Sequence, residues 1–217
     1  MQYHNYIFFT PKPSIASLTN TSLKKYKTAF LKVLTKSKTV VSYTYATLGL
    51  KTDTNMLIWF QAETIEAIQD LLNDLLHTDL GKHLTISYTL FGMTRKTQYS
   101  SHATGHIDTS RKGGKYLVIY PFNKTKEWYA LDFETRRKLM GGHVMVGKKY
   151  PQIEQVLLYS YGIDDNEFIV SYEMADLADF QSLVMELRSD KVRHYTQKDT
   201  PIFTCIYKSP EDAINYL

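Results

Sequence analysis

The sequence has very little cysteine: Cys205 is the only one in 217 residues. A single thiol cannot close an intrachain disulfide, and it cannot supply the several cysteine ligands of a structural zinc site or an iron–sulfur cluster. This scarcity favours a reducing compartment. Cys205 lies in an apolar run at 202–207, which is typical of a strand, so we expect a buried, unreactive thiol.

Long apolar runs and targeting signals are also absent. The segment 1–9 lacks the basic stretch and long apolar stretch of a secretory signal, and no apolar run approaches the roughly 20 residues of a membrane-spanning helix. The net charge is only +4, and the densest basic run, Lys24, Lys25 and Lys27, fits a solvated helix face. We therefore expect a cytoplasmic globular protein that binds neither membranes nor nucleic acid.

Common catalytic signatures are missing as well. The sequence has no phosphate-binding glycine loop, nucleophile elbow or dinucleotide fingerprint. His102 and His106 have the spacing of a helical zinc pair, but they lie in a polar segment without a helical pattern, so we expect no zinc there. Asp164 and Asp165 occupy a predicted turn, where aspartate is favoured for backbone reasons, and we expect no acid–base pair there.

What the sequence does contain is an internal duplication. Each half has a glycine followed by a polar turn, an apolar strand and a segment with helical spacing: Gly49, 55–60 and 64–76 in the first half, Gly162, 167–172 and 176–187 in the second. With the flanking segments, each half shows the β-α-β-β-α-β order of a ferredoxin-like unit.

The predicted elements can be given in full. The first half has strands at 3–9, 40–47, 55–61 and 84–93 and helices at 22–36 and 64–76. The second half has strands at 116–120, 155–161, 167–173 and 202–207, a helix at 177–187, and a helix that Asp132 caps and Pro151 ends.

We therefore predict an α+β fold in which two ferredoxin-like β-α-β-β-α-β repeats form a dimeric α+β barrel-type domain within one chain. The predicted division is an N-terminal repeat at 1–99, a polar, glycine-containing linker at 100–114 and a C-terminal repeat at 115–217.

Because the repeats share a scaffold, features found in only one half are candidates for function. His143 lies nineteen positions before Gly162, and the position nineteen before Gly49 holds Phe30. A core aromatic residue in one copy is thus an imidazole in the other.

Two glycines, Gly141 and Gly142, precede His143 in the same predicted helix. Each costs about 1 kcal/mol there relative to alanine. They would suit the close approach of a flat group such as a porphyrin. The alternative is an ordinary helix histidine beside two tolerated glycines.

A second unusual segment follows the first strand of the second half. Tyr120 is predicted to end that strand, and Pro121 imposes extended geometry after it. Lys124 and Trp128 follow at intervals of four residues, so a phenol, an ammonium and an indole crowd one loop. An ordinary amphipathic strand end is the alternative.

Several segments of the chain are together similar to one known family. The C-terminal half contributes 120–128, 133–140, 143–151, 162–168 and 199–203, and the N-terminal half contributes 93–99. In this order and spacing they resemble the chlorite dismutase superfamily, over nearly the whole chain. The resemblance implies a double ferredoxin-like fold, one haem in the C-terminal half with His143 as its iron ligand, and a ring-like homo-oligomer, usually a pentamer when both halves are complete.

Two activities divide the superfamily. Chlorite dismutases use a distal arginine to split chlorite into chloride and dioxygen, whereas coproheme decarboxylases use hydrogen peroxide to convert coproheme III into haem b, and one large group of them carries a distal glutamine. Counting back from Gly162 places Gln155 at that position, and the nearest arginines, Arg137 and Arg188, fall in predicted helices. A permanently charged guanidinium holds an anionic oxidant better than a neutral amide.

The resemblance also assigns roles to other residues. Tyr120 would be the catalytic radical tyrosine of a decarboxylase and Lys124 its catalytic assistant, while Trp128 is assigned to porphyrin binding. The linker matches no motif of the family, and Arg111 within it is a further candidate for porphyrin binding. Lys191 falls near the position of a glutamate that hydrogen-bonds the proximal histidine, so we expect that acidic partner to be missing.

The resulting hypothesis is a peroxide-dependent coproheme decarboxylase that holds an iron porphyrin, either coproheme III or haem b. A chlorite dismutase or weak haem peroxidase stays open, since the spacing of Lys124 and Trp128 is closer to chlorite dismutase-like sequences. A non-enzymatic haem-binding protein is the third possibility.

Overall fold

The computed structural model describes residues 1–97, 99 and 109–217. In this part of the chain the first 93 residues form β1 (Tyr3–Pro11), α1 (Asn20–Lys36), β2 (Val40–Ala46), β3 (Met56–Ala62), α2 (Ile65–His77) and β4 (Leu84–Met93). The second half forms β5 (Tyr116–Lys124), α3 (Lys126–Ala130), α4 (Phe133–Gly147), β6 (Glu154–Tyr159), β7 (Phe168–Met174), α5 (Leu177–Arg188), β8 (Thr196–Lys198), β9 (Phe203–Lys208) and α6 (Pro210–Ala213).

These elements divide into two compact units, Met1–Met93 with Thr204–Leu217, and Thr94–Phe203. In the first unit the antiparallel strand order is β4-β1-β3-β2-β9. In the second it is β6-β7-β5-β8, again antiparallel. The predicted α+β architecture of two ferredoxin-like repeats is confirmed. The barrel-type association of the repeats stays a prediction.

Two details differ from the sequence-based expectation. The C-terminal repeat was expected to include everything after 115, but Thr204–Leu217 groups with the first unit, where β9 pairs with β2. Strand β5 does not end at Tyr120: it continues through Pro121, opposite Ile169, to Lys124. The proline ring fixes φ at a value that a strand can accommodate, so Pro121 lies within the strand and does not end it.

Each unit packs its helices on one face of its sheet. In the first unit, Phe30 and Leu34 of α1 and Ile68 and Leu75 of α2 are buried against the strands. In the second, the core between sheet and helices is smaller, and its buried members are Val118, Val170, Tyr172, Met174 and Leu183. The apolar periodicity of each segment accounts for this placement.

The first unit contains a buried histidine that has no charged partner among the described residues. His4 on β1 is completely buried, and its Nδ1 accepts a hydrogen bond of 3.0 Å from the indole N–H of Trp59. Burial lowers the pKa of His4 from 6.5 to about 3. The ring therefore folds as the neutral species.

This burial predicts a specific loss of stability in acid. Between pH 6.5 and pH 3, His4 is protonated in the unfolded chain but stays neutral in the folded chain. The free energy of unfolding should therefore decrease as the pH falls through this window. Each unit of pKa difference is worth about 1.4 kcal/mol. Urea unfolding of the wild type and His4→Gln at pH 7, 5 and 4 should show a shallower pH dependence in the variant. His77→Gln, at an exposed histidine, is the control; equal slopes for wild type and His4→Gln would contradict the prediction.

Candidate functional site

Helix α4, which carries His143, lies unusually loosely on its sheet. Asp132 caps the helix, and its carboxylate accepts the backbone N–H of Thr135 at 2.9 Å. None of the residues of α4 is buried, whereas α1, its counterpart in the first repeat, buries Phe30 and Leu34. Phe30 is the residue that corresponds to His143. The second repeat thus has less side-chain filling between helix and sheet at this position.

His143 faces the sheet across this loosely filled space. Val146 lies three residues after His143, on the same side of the helix, and it packs against the buried core of the sheet. The imidazole side of α4 is therefore the side that looks toward β5, β6 and β7.

The opposing sheet surface carries polar side chains, among them Gln155, Tyr172 and Tyr120. Gln155 on β6 stands directly opposite Tyr172 on β7, and Tyr172 stands opposite Val118 on β5. Directly paired residues share a sheet face, and so do residues two apart on one strand. Tyr120, two residues after Val118, is therefore on the same helix-facing surface as Gln155 and Tyr172.

The imidazole of His143 is oriented by a carboxylate. Its Nδ1 is buried, has no hydrogen-bond partner among the described residues, and lies 3.8 Å from Oδ2 of Asp190. About a third of the side chain, 32%, is exposed, and this exposure belongs to other ring atoms because Nδ1 is covered. Burial lowers the pKa of His143; Asp190 acts against this shift, and the charge of Lys124 adds to it.

This environment fits a histidine that binds the iron of a porphyrin. A metal ligand must be the neutral imidazole, which the lowered pKa favours. Ligating histidines commonly direct their second ring nitrogen to a carboxylate, which fixes the ring and makes it a stronger donor. Among the described residues no group of three or more histidine, cysteine, aspartate or glutamate side chains could hold a metal ion.

No acidic hydrogen-bonding partner was expected for His143, and no described residue hydrogen-bonds to its Nδ1. A carboxylate nevertheless lies nearby, at ion-pair distance. Lys191 occupies the position from which that expectation was drawn, but the preceding residue, Asp190, points to the imidazole. Asp190 also caps the short 3-10 turn Lys191–Tyr195, with Oδ1 accepting the N–H of Val192 at 3.0 Å. One carboxylate oxygen thus fixes the turn while the other faces His143.

Lys124 and Trp128 come together beside this pair. The side chain of Lys124 is buried, with Nζ 4.8 Å from the centre of the Trp128 ring. Burial, helped by the nearby charge of Arg193, lowers the pKa of Lys124 to about 8, against the opposing effect of Asp190. Trp128 is itself buried and contacts the ring of Tyr195.

The backbone at Lys124 is held by a residue that the sequence analysis missed. The carboxylate oxygen Oε2 of Glu167 accepts the N–H of Lys124 and the hydroxyl of Tyr129, both at 2.7 Å. The backbone N–H of Glu167 in turn donates to Oδ1 of Asn123 at 2.8 Å. The turn before β7 is thereby fastened to the end of β5. The acidic residues that follow Gly162 are evident in the sequence, but nothing in the sequence indicates that Glu167 contacts Lys124.

Tyr120 lies in a charged environment that also went unnoticed. Burial raises its pKa, and its hydroxyl is a hydrogen-bond partner of Tyr172. The charges of Asp199, Arg188 and Arg193 act on Tyr120 as well. Asp199 pairs with both arginines, at 2.9 Å and 3.1 Å, so two guanidinium groups are held near the phenol by one carboxylate.

Arg111, the linker residue named as a candidate for porphyrin binding, has contacts elsewhere. Its Nη2 donates to the carbonyl of Gly114 at 2.5 Å, and its Nε lies 4.0 Å from Oε1 of Glu173. Glu173 follows Tyr172 on β7, so it points to the opposite face of the sheet. The structure therefore does not bring Arg111 together with His143, and its role in binding a porphyrin stays a prediction.

A cavity of about 770 Å³ runs along a different side of α4. Its lining consists of Thr97, Tyr99, Glu134, Thr135, Arg137, Lys138, Met140, Gly141 and Val144. His143 is not among these residues, and Gly141 is about 200° around the helix from it. An added side chain at Gly141 or Gly142 would meet nothing within 4 Å. The suggestion that these glycines admit a flat group next to His143 gains no support from this placement.

Two further expectations concern metals and membranes. His102 and His106 lie outside the described residues. Across 1–97, 99 and 109–217, no helix has the length and apolar character needed to cross a lipid bilayer.

Comparison with known proteins agrees with this arrangement. The family model for chlorite dismutase matches residues 20–208. A coproheme decarboxylase from Mycolicibacterium smegmatis is 28% identical over 186 residues, covering 85% of this chain and 80% of that protein. A mutant chlorite dismutase from Candidatus Nitrospira defluvii has a TM-score of 0.90 at 23% identity, and another mutant, in complex with cyanide, has 0.90 at 22%; each comparison covers 99% of this chain and 94% of the other.

The solved structures are below 25% identical, so they show the fold alone. The family model covers most of the chain and identifies the family. The chain belongs to the chlorite dismutase family and shares its fold of two ferredoxin-like domains.

Proposed function

We propose that this protein is a peroxide-dependent coproheme decarboxylase that binds an iron porphyrin through His143 and converts coproheme III into haem b. The observation that carries the proposal is the buried Nδ1 of His143, which faces Asp190 at 3.8 Å on the side of α4 that looks toward Tyr120. The 28% identity to a coproheme decarboxylase supports it.

When bound, the iron porphyrin would activate hydrogen peroxide as the oxidant. His143 would hold the iron through its free ring nitrogen, and Asp190 would keep that ring oriented and electron-rich. The buried environment of His143 keeps the imidazole neutral, as the ligand must be.

Tyr120 would act on the propionate. Tyr120, once oxidised to a phenoxyl radical at the expense of the peroxide, would remove a hydrogen atom from the propionate chain and so recover its O–H. The resulting carbon radical would lose a second electron, which the peroxide also takes up, and carbon dioxide would leave as the vinyl group forms. For each propionate, one peroxide and one proton are consumed, and the products are one vinyl group, one carbon dioxide and two waters. The position of Tyr120 on the helix-facing surface supports this role.

Lys124 would supply a proton or a positive charge beside the reacting carboxylate. Its pKa of about 8 lies near neutrality, where a group can both hold and release a proton. The hydrogen bond from its backbone to Glu167 and the contact of its side chain with Trp128 fix its position. The guanidinium groups of Arg188 and Arg193 are suited to hold a second carboxylate of the porphyrin.

The distal side would favour peroxide over chlorite. Strand β6 presents Gln155 on the helix-facing surface, and none of the described strands β5, β6 and β7 contains arginine. An amide at this position would hold an anionic oxidant less well than a guanidinium. We further propose, as the family resemblance implies, that the protein is cytoplasmic and assembles as a homopentamer.

Conversion of coproheme III tests the proposal directly. Titration of the purified protein, loaded with coproheme III, with hydrogen peroxide should yield haem b by mass spectrometry. Tyr120→Phe should abolish conversion because the ring remains but the oxidisable O–H is lost. Tyr116→Phe, which alters another tyrosine on the same strand and face, should convert at the wild-type rate. No haem b from the wild type would refute the decarboxylase.

The proximal site can be tested through the reduction potential of the bound iron. Asp190→Asn should raise this potential, because an amide makes His143 a weaker donor than a carboxylate does. Spectroelectrochemistry measures the shift, and Asp165→Asn, in a turn, is the matched control. His143→Ala should lose the Soret band altogether; an unchanged band would place the iron elsewhere.

Chlorite turnover separates the alternative activity. We expect chlorite to give little or no dioxygen at an oxygen electrode, because the sheet presents Gln155 where an arginine is required. Rapid dioxygen release would overturn the decarboxylase assignment in favour of a chlorite dismutase.

A further inference from the structure

We propose that Tyr172 is a positioning residue for Tyr120: its buried hydroxyl is hydrogen-bonded to the Tyr120 oxygen and so fixes the phenol that faces the proposed porphyrin site. This inference rests on the proposed function of Tyr120 and extends it to a residue for which the sequence analysis gave no role.

The strand register puts Tyr172 between the two polar residues already assigned to this surface. Tyr172 is directly opposite Gln155 on one side and opposite Val118 on the other, and Tyr120 is diagonal to it. Diagonal neighbours in an antiparallel pair are about 7–8 Å apart, within reach of aromatic side chains. Gln155, Tyr172 and Tyr120 therefore form a row across three adjacent strands.

The ring of Tyr172 is enclosed on both sides. Its exposed fraction is 6%. The ring centre of Tyr120 lies 6.1 Å away at an interplanar angle of 28°, and that of Phe180 on α5 lies 5.0 Å away. A phenol held this firmly has little freedom to turn its hydroxyl elsewhere, and buried hydroxyl groups require a partner.

That partner is the hydroxyl of Tyr120. Burial raises the pKa of both phenols, and each hydroxyl is the hydrogen-bond partner of the other. A phenol hydroxyl can both donate and accept, so either ring can supply the proton of this bond while both are protonated.

The protonation state of Tyr120 determines the direction of this bond. When Tyr120 has lost its hydrogen atom, its oxygen can only accept, so the Tyr172 O–H is then the donor and holds that oxygen in place. The same phenol can then take a hydrogen atom from substrate without first reorienting.

A purely structural role makes a different prediction. If Tyr172 only fills the core with its ring, phenylalanine should replace it without consequence at Tyr120. The two roles are therefore separated by Tyr172→Phe, which keeps the ring and its contacts with Phe180 and removes the hydroxyl alone.

The first measurement uses the protein without porphyrin. In protein labelled with ¹³C at tyrosine Cζ, the Tyr120 resonance is identified by its loss in Tyr120→Phe. We expect it to shift in Tyr172→Phe, which removes the hydrogen bond, and to stay in place in Tyr116→Phe. Reciprocally, the Tyr172 resonance should shift in Tyr120→Phe, so the contact is tested even if Tyr172→Phe folds poorly. A Tyr120 resonance unmoved in a folded Tyr172→Phe protein would overturn the proposal.

The second measurement uses protein loaded with coproheme III. Tyr172→Phe should lower kcat for peroxide-dependent conversion by about tenfold, the factor that corresponds to one ordinary hydrogen bond, with KM for peroxide unchanged. Unaltered kcat with a shifted resonance would show that the bond exists but does not serve the reaction, and would overturn the positioning role. If the wild type forms no haem b, the decarboxylase fails, while the resonance shifts still decide whether Tyr172 holds Tyr120.

Discussion

The approach of the Asp190 carboxylate to the buried nitrogen of His143 is the contact on which the rest of the site depends. In the proposed site it would determine which ring nitrogen is turned inward and leave the other nitrogen for the iron. The carboxylate is held by a short turn, because it also accepts the N–H of Val192. A local capping interaction thereby places a carboxylate 3.8 Å from a side chain on another helix.

Near His143 the second unit is held together by two kinds of contact. Hydrogen bonds from Glu167 to the Lys124 backbone and to Tyr129 fix the chain where β5 ends. Ring contacts hold Trp128 and Tyr172 in place. Groups with lowered or raised pKa values therefore sit on rigid strand and loop positions, as a site that must hold a ligand in one orientation requires.

The sequence predicted the repeated architecture because apolar spacing and turn residues recur in both halves. Such local signals correctly predicted that Asp132 caps a helix and that a strand spans Leu84–Met93. The comparison of His143 with Phe30 identified the candidate ligand from the sequence. The sequence did not identify Asp190, because its contact with His143 depends on where a short turn lies against α4. It did not identify Tyr172 either, because strand register, which a single sequence does not reveal, places Tyr172 beside Tyr120.

The exchange of Phe30 for His143 between the repeats has a consequence for folding energetics. In the first unit an aromatic side chain completes the packing between helix and sheet, whereas α4 in the second unit buries none of its residues. A molecule that fills this gap and binds only the folded state adds its binding free energy to the stability of the second unit. The two repeats thus differ in what packs between helix and sheet. In the first, the protein's own side chains fill this space, and in the second, a bound molecule would fill it.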